Sequence, residues 1–462
     1  MLNIIKNSIN VIFKQPKIKL RMLLKQLQLR SSHLAFAVVL TFCFIFWLFF
    51  LLKGGPSLLG TDWLKEQVFS NVLRESINSF AIPWEINEPY RHGTNLVLSN
   101  PEISLIPDFL LLQFISNNSY LVLHIIIFVI VGFYGTFLLA KKLSLVPIPL
   151  IFFTILFNCN GYITSHIAEG HIQWAGYFLF PLFFYMMLNI SDQEKNEALI
   201  FRVSIILGIL ILNGSIHIAV WCIMFMLIGS IFEKNLRKAT GKVIFLTVLF
   251  GAARLFPASI YFPPKLEYYS GFESVTNLID ALTSNITKSR NDGLGYHELD
   301  CFVGFIGFAY IIFGTLLYYK HKIKVVPNWW VISSFLLLVL SLGDVYQLVP
   351  KSGIPFASIE RVSSRFIVIP FITFLTIASI AFSNSTVRSN ININRFTVIS
   401  IPLMLGELIF HAKKWHLYLF GTQLMPAIYL QASDNLTMKS IIFLSWTTSI
   451  LSLIFYFTKK TK

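Results

Sequence analysis

The chain has 462 residues, of which 55% are hydrophobic and only 13% are charged. Because soluble domains carry roughly a quarter charged residues, this composition excludes an ordinary soluble globular protein. The Lys and Arg behind the formal net charge of +15 are concentrated in the N-terminal segment, in short loops between apolar stretches and at the C-terminal end. That distribution is typical of loops facing anionic lipid, so membrane lipids are expected partners and nucleic acid is not.

Apolar runs of about 20 residues recur along the chain, and such a run can cross a bilayer as a helix. The sequence therefore predicts an all-α polytopic membrane protein, a bundle of about 12 transmembrane helices. The predicted spans are 33–52, 119–140, 145–165, 173–190, 201–215, 216–232, 243–263, 302–319, 328–346, 366–384, 396–411 and 440–458.

The positive charges predict the orientation of these spans. Short loops on one side carry Lys and Arg clusters, such as Lys141 and Lys142, which places that side and both termini in the cytoplasm. We expect a multi-pass protein of the plasma or inner membrane, with a basic cytoplasmic segment at 1–32 and a single transmembrane domain at 33–462. Three long loops, 54–118, 264–301 and 412–439, then lie outside, where a recognition surface is expected.

The first outer loop opens with Thr61-Asp62-Trp63, directly after the first predicted span. Apolar residues then recur at helical spacing, which predicts an amphipathic helix in the membrane interface. These residues are Leu64, Val68, Val72, Leu73, Ile77 and Phe80, and polar residues, Lys65, Glu66 and Gln67 among them, fill the other face.

Asp62 stands at or next to the start of this predicted helix, and Glu66 follows one turn later. A carboxylate at a membrane surface is costly unless it binds or reacts with a partner. Asp is also a favoured N-cap residue, so helix capping is the structural alternative. The two roles are compatible, because a capped carboxylate stays ionised as a general base requires.

Aromatic and imidazole side chains supply further candidates. Trp63 and Trp84 can stack on sugar faces, although aromatic residues also belong to the ordinary interfacial belt. His166, Glu169 and His171 lie close in sequence without zinc-protease spacing. We therefore predict no metal site there, and expect these side chains either to line a polar site or to form interfacial hydrogen bonds. Glu298 is likewise expected either to line a polar site or to form interfacial hydrogen bonds.

Arginines at the outer boundary are candidates for anion binding. Arg361 and Arg365 lie one turn apart before the span 366–384, where a helix N-terminus and two guanidinium groups favour a phosphate. Snorkelling toward lipid headgroups is the alternative. Arg254 lies within a predicted span, where a charge is a functional candidate by default, and Lys265 follows just beyond.

A series of short motifs runs from the first span to about residue 385. It comprises Asp62, Gln67, Pro83-Trp84, Gly93, Asn100-Pro101, Pro107, Glu169-Gly170-His171, Pro181, Tyr296-His297-Glu298, Phe302-Val303-Gly304, Leu342-Gly343-Asp344 and Arg361-Val362-Ser363-Ser364-Arg365-Phe366. In its order, this series resembles the GT-C superfamily of membrane glycosyltransferases, and within it the bacterial YfhO-like branch.

The resemblance implies an inverting glycosyltransferase that takes a sugar from a polyprenyl-phosphate donor on the outer face. Asp62 would deprotonate the acceptor hydroxyl of a glycan, lipid or protein, with Glu66 as a candidate second acid. The donor phosphate would be bound by Arg361, Arg365, Arg254 and Lys265. The sugar or acceptor would be contacted by Trp63, Gln67, Trp84, His166, Glu169, His171 and Glu298.

The chain departs from the family pattern in one respect, because it lacks the Asp-X-Asp or paired-acid signature of several branches. No cofactor is assigned for that reason, and a requirement for a divalent metal stays open. Two other functions suit the same composition. A secondary transporter or flippase would place polar residues at mid-membrane on discontinuous helices, and a cell-envelope scaffold would keep the fold without the chemistry.

Overall fold

The computed structural model describes residues 33–52, 61–83, 85–90, 94–192, 197–261, 268–284, 295–351, 360–389 and 391–419, with residues 430–431, 440 and 447. Over these residues the chain is about 82% helical and forms 17 α-helices. The all-α fold class is confirmed. The last predicted span, 440–458, lies almost wholly outside the described residues.

The α-helices are α1 (His33–Leu52), α2 (Thr61–Ser79), α3 (Asn117–Lys142), α4 (Pro147–Asn158), α5 (Gly161–Glu169), α6 (Phe180–Asp192), α7 (Glu197–Leu212), α8 (Ile216–Phe232), α9 (Lys234–Phe250), α10 (Ala252–Tyr261), α11 (Val275–Thr283), α12 (Gly304–Lys320), α13 (Asn328–Leu340), α14 (Leu348–Lys351), α15 (Val368–Ser383), α16 (Ser385–Arg388) and α17 (Ile391–Leu419). Short 3₁₀ helices lie at Val97–Ser99, Pro107–Gln113, Ile172–Leu179, Tyr296–Glu298, Val345–Gln347 and Ser363–Ile367.

The prediction of 12 transmembrane helices is wrong in number. Within the described ranges, four helical segments are long and apolar enough to cross a membrane, or five if α9 and α10 form one bent span. The four segments are 33–52, 117–142, 147–169 and 363–383. Each predicted span from 33 to 411 nevertheless overlaps a helix, so the positions of the apolar segments were predicted better than their lengths.

Helix length explains this difference. At 1.5 Å per residue, the 17 residues of α8 or α12 extend about 26 Å, and the 13 of α13 about 20 Å. A bilayer core is about 30 Å thick. Hydropathy detects apolar residues but not breaks in the backbone, such as the 77° bend at Gly251 between α9 and α10.

A small antiparallel sheet has two strands in the first predicted outer loop and one in the predicted outer loop 412–439. The strands are β1 (Glu85–Tyr90), β2 (Thr94–Leu96) and β3 (Leu430–Gln431), in the order β2-β1-β3. The pairing of Ile86 with Leu430 joins this loop to a segment near the C-terminus. The sequence did not predict these strands, because they are short and one partner lies more than 300 residues away.

Close helix packing positions the elements around the first loop. α3 packs against α6 and against the 3₁₀ helix Ile172–Leu179. Gly132 on α3 allows this approach, because a Cβ there would lie 2.7 Å from the backbone oxygen of Phe178. His171 is the residue immediately before this 3₁₀ helix, so the packing of the helix against α3 also fixes where that histidine lies.

Candidate functional site

Helix α2 carries the first acidic residues of the site. It begins at Thr61, so Asp62 lies in the first turn, where the helix dipole favours a carboxylate. The predicted helix is confirmed, but one feature differs from expectation. Lys65 and Glu66 were expected on a solvated polar face, and both are buried, whereas Asn71 and Glu75 on the same helix are exposed.

A left-handed turn brings α5 against the start of α2. Helix α5 ends at Glu169 and is capped by Gly170, whose φ of +97° is a conformation that glycine adopts without strain. A Cβ at this position would collide with the backbone of Asp62 and Trp63. The Trp63 indole donates a hydrogen bond to the Ala168 carbonyl oxygen at 3.1 Å, so the Trp63 side chain links helix α2 to helix α5.

Lys65 is surrounded by three carboxylates. Its Nζ lies 3.0 Å from Asp62 Oδ2, 3.5 Å from Glu66 Oε1 and 2.7 Å from Glu102 Oε2. The Lys65 side chain is fully buried, whereas 34% of the Glu102 side chain is exposed. One ammonium group therefore faces three acids, an excess of negative charge that favours protonation of a buried acid.

The pKa values indicate which acid holds the proton. Burial raises the pKa of Glu66 to about 8, and Lys65 only partly offsets this effect. For Glu102, burial also acts to raise the pKa, but the charge and hydrogen bond of Lys65 outweigh it and lower the pKa to about 2. At neutral pH, Glu66 is therefore the protonated member and Glu102 is ionised.

Three histidines from two distant parts of the chain meet next to Asp62. His171 Nε2 lies 3.3 Å from Asp62 Oδ2, and its Nδ1 lies 3.0 Å from His166 Nδ1. His297 Nε2 lies 3.4 Å from Glu298 Oε1. Burial lowers the pKa of His171 to about 4, against the opposing effect of Asp62, so this imidazole is neutral at pH 7.

Arg365 closes the far side of this cluster. Its guanidinium donates to both carboxylate oxygens of Glu298, at 2.7 Å from Nε to Oε2 and through a second, shorter bond to Oε1. A third bond reaches Glu360 Oε1 at 3.3 Å. Arg365 also lies 5.0 Å above the Trp174 ring, and His217 Nδ1 is 3.1 Å from Glu360 Oε2. These contacts fix the position of the Arg365 guanidinium.

The other predicted phosphate ligands lie apart from this cluster. Arg361 is partly exposed and lies 5.8 Å from the Tyr269 ring centroid, so its neighbours differ from those of Arg365. Arg254 is fully buried on α10 and donates to the Asn100 carbonyl oxygen. Lys265 lies outside the described residues, as does Trp84, one of the predicted sugar contacts.

The remaining predicted contacts are placed as follows. Gln67 is half-buried on α2, where its carbonyl oxygen accepts from Asn117 at 3.3 Å. Glu169 Oε2 lies 3.6 Å from His297 Nδ1. The structure therefore brings Asp62, Glu66, Trp63, His166, Glu169, His171, Glu298 and Arg365 into one region, joined by direct contacts.

Sequence reasoning missed four charged or titratable members of this region, Lys65, Glu102, His297 and Glu360. For Lys65 a signal existed, because it lies one turn from Asp62 on a helix whose apolar residues extend around its circumference. No local signal marked Glu102, because its partner Lys65 is 37 residues away. Glu360 lies five residues from Arg365, but its other partners, His217 and Trp221, are 143 and 139 residues away.

Access to Asp62 is restricted, since only 6% of its side chain is exposed. Two cavities lie elsewhere, one beside Pro147 and Arg388 and a smaller one beside Tyr162 and Cys301, and Asp62 lines neither of them.

Chemically, the region combines an ionised acid network, a neutral imidazole and a proton-bearing carboxyl within a buried volume. Such groups can accept, hold and release protons in a low-dielectric setting. Comparisons of the chain with protein-family models, curated proteins and solved structures find no match.

Proposed function

We propose that this chain is a membrane glycosyltransferase that moves a sugar from a polyprenyl-phosphate donor to an acceptor hydroxyl. The observation that carries the proposal is the buried carboxylate of Asp62, directly after the first apolar helix and in contact with Lys65 and His171. Burying a charged network costs several kcal/mol per ion, and active sites are where such a cost is commonly found.

In the proposed reaction, Asp62 acts as the general base toward the acceptor hydroxyl. Lys65, at 3.0 Å, favours the ionised carboxylate, and His171, at 3.3 Å, constrains its orientation. The hydroxyl oxygen then attacks the anomeric carbon, the bond to the carrier phosphate breaks, and the configuration inverts. Glu66, one turn away with a pKa of about 8, is the second acid, poised to hold or return a proton near neutral pH.

The departing phosphate needs cationic partners, because negative charge develops on it as the sugar leaves. Arg361 is the better candidate of the predicted arginine pair, since its guanidinium is partly exposed, whereas Arg365 is engaged by Glu298 and Glu360. In this proposal, Arg365 does not bind the phosphate but fixes the carboxylates of Glu298 and Glu360.

The topology belongs to the same proposal. The apolar helices are long enough to support a membrane location, and the asymmetry of Lys and Arg supports cytoplasmic termini. The donor would enter from the outer leaflet, while the acceptor, a glycan, lipid or protein, approaches from the aqueous side.

The proposal is tested by Asp62→Asn in the purified, detergent-solubilised protein. Loss of a general base is expected to lower the rate of sugar transfer from a polyprenyl-phosphate donor by about 100- to 10,000-fold. Asp280→Asn, the same change at an exposed position on α11, is the matched control and should retain the wild-type rate. Transfer by Asp62→Asn at the wild-type rate would remove Asp62 as the base.

A secondary transporter is the second candidate, and one observation favours it. Helices α9 and α10 meet at a 77° bend, and Arg254 lies buried on the second of them. Two of its guanidinium nitrogens, Nε and Nη2, make no hydrogen bond within the described part of the chain. Discontinuous helices with polar groups form many transport sites. Solute uptake into vesicles without sugar transfer would favour this function.

A further inference from the structure

The three histidines beside Asp62, together with Glu298, form a compact set of metal-type ligands. One ligand atom from each of His166, His171, His297 and Glu298 lies within 4.8 Å of the others. In a tetrahedral zinc site, bonds of about 2.0–2.1 Å place ligand atoms about 3.4 Å apart. The distance from His297 Nε2 to Glu298 Oε1 is 3.4 Å, so this pair of ligand atoms already has the required separation.

The outer partner of His171 follows the pattern of metal-binding imidazoles. Such imidazoles usually donate their second ring N–H to a carboxylate, which fixes the tautomer and leaves the other nitrogen for the metal. For His171 this carboxylate is Asp62, at 3.3 Å from Nε2. Glu169 Oε2 lies 3.6 Å from His297 Nδ1, which is close but beyond hydrogen-bonding distance.

His166 adds an independent observation. The residue is fully buried, and its Nε2 has no hydrogen-bond partner among the described residues. The nearest acid atom to this nitrogen is Glu298 Oε2 at 3.9 Å, which is beyond hydrogen-bonding distance. A buried polar atom left unpaired costs about 1–3 kcal/mol, and a bound cation would use this lone pair.

Glu298 is oriented for such a role by Arg365. The guanidinium holds both oxygens of the carboxylate, so the side chain cannot rotate away from the histidines. A carboxylate oxygen keeps a second lone pair while it accepts one hydrogen bond, and it can therefore bind a metal at the same time.

We propose that His166, His171, His297 and Glu298 bind one transition-metal ion, with Zn²⁺ as the fitting class. Three imidazole nitrogens and one carboxylate oxygen suit zinc, whereas Mg²⁺ and Ca²⁺ are bound mainly by oxygen. Spacing along the sequence does not reveal the site, because two ligands come from α5 and its end and two from the segment before α12.

Metal binding at this site can be measured without sugar transfer, so its failure is distinguishable from failure of the proposed transferase activity. Its position has one consequence for Asp62. Through His171, the metal would fix the carboxylate that we propose as the base, so the site would position Asp62 without contacting the substrate itself.

The test measures metal binding by the full-length, detergent-solubilised protein. The protein is stripped with a chelator, titrated with Zn²⁺, and separately loaded with Co²⁺, whose visible absorption reports tetrahedral coordination. We expect about one ion per chain in the wild type. His166→Asn and His297→Gln each remove a ligand and should weaken Zn²⁺ binding by more than the roughly 10–100-fold that loss of an outer partner costs.

His217→Asn is the matched control, because His217 lies in the same region but binds Glu360 and not the cluster. It should bind Zn²⁺ as the wild type does. Asp62→Asn keeps all four ligands and removes only an outer partner, so it should weaken binding by about 10–100-fold, less than the ligand variants do. The proposal is overturned if the wild type binds no stoichiometric metal, or if the ligand variants bind as tightly as His217→Asn.

Discussion

Lys65 and Lys242 each bind a carboxylate, but in opposite surroundings. Lys65 on α2 is fully buried among Asp62, Glu66 and Glu102, whereas Lys242 on α9 pairs with Glu197 on α7 with side chains 54% and 68% exposed. In water an ion pair contributes little, because solvent screens both charges. In a buried site, removal of one partner leaves charges that nothing else can satisfy.

The comparison shows where in this chain the charged groups that are costly to bury are found. Buried charges are concentrated where α2, α5 and the segments before α12 and α15 meet, whereas the Lys242–Glu197 pair is an ordinary surface contact. A stable bundle does not need buried acids, since apolar side chains of similar volume would serve at least as well. We therefore look for function in the region around Lys65.

The largest expected effect is that of Lys65→Met. This change leaves the buried acids without their cation, so we expect a loss of about 3–5 kcal/mol in the free energy of unfolding. The matched change Lys242→Met should cost less than about 1 kcal/mol. Denaturant unfolding of the two solubilised variants measures both values. Similar losses of stability in the two variants would contradict the difference that we expect between the buried and the exposed lysine.

Arg365→Lys should have an intermediate effect. A lysine ammonium cannot reproduce the paired hydrogen bonds from Nε and Nη2 to Glu298 while it also reaches Glu360, so we expect a loss of about 1–3 kcal/mol. Arg361→Lys, at a partly exposed position nearby, is the control and should unfold as the wild type does. Thermal unfolding of both variants gives the comparison, and equal midpoints would argue against a structural role for Arg365.

Counted per unit of pH, the smallest effect concerns the dependence of stability on pH. The pKa of Glu66 rises from 4.5 to about 8 because the residue is buried. Between these two pH values the folded protein keeps a proton that the unfolded chain releases, so stability falls as pH rises. The fall from this one group is at most about 1.4 kcal/mol per pH unit.

Glu66→Gln removes this titration. Its melting temperature should therefore rise relative to that of the wild type as pH increases from 5 to 8. Glu75→Gln, an exposed change on the same helix, should follow the wild type at every pH. A constant difference between Glu66→Gln and the wild type across this range would show that Glu66 is not protonated in the folded protein.

The sequence predicted the parts of the site that are encoded locally. Asp62 follows an apolar span and precedes helical spacing, so both its helix and its position in the first turn could be predicted. The histidines of α5 and its end were selected for the same reason, since they lie within a few residues of one another. Their neighbour His297 was not predicted, because proximity across more than 100 residues leaves no mark in local spacing.

The sequence alone determined that the chain is helical and apolar and that charges mark the helix ends, because helical periodicity and hydropathy are properties of contiguous residues. Only the tertiary structure decided which charges meet and where helices break. Gly170 allows two backbones to touch, three carboxylates converge on one lysine, and a bend at Gly251 divides an apolar segment. These outcomes depend on packing between distant segments, and no single stretch of the sequence determines the energy of that packing.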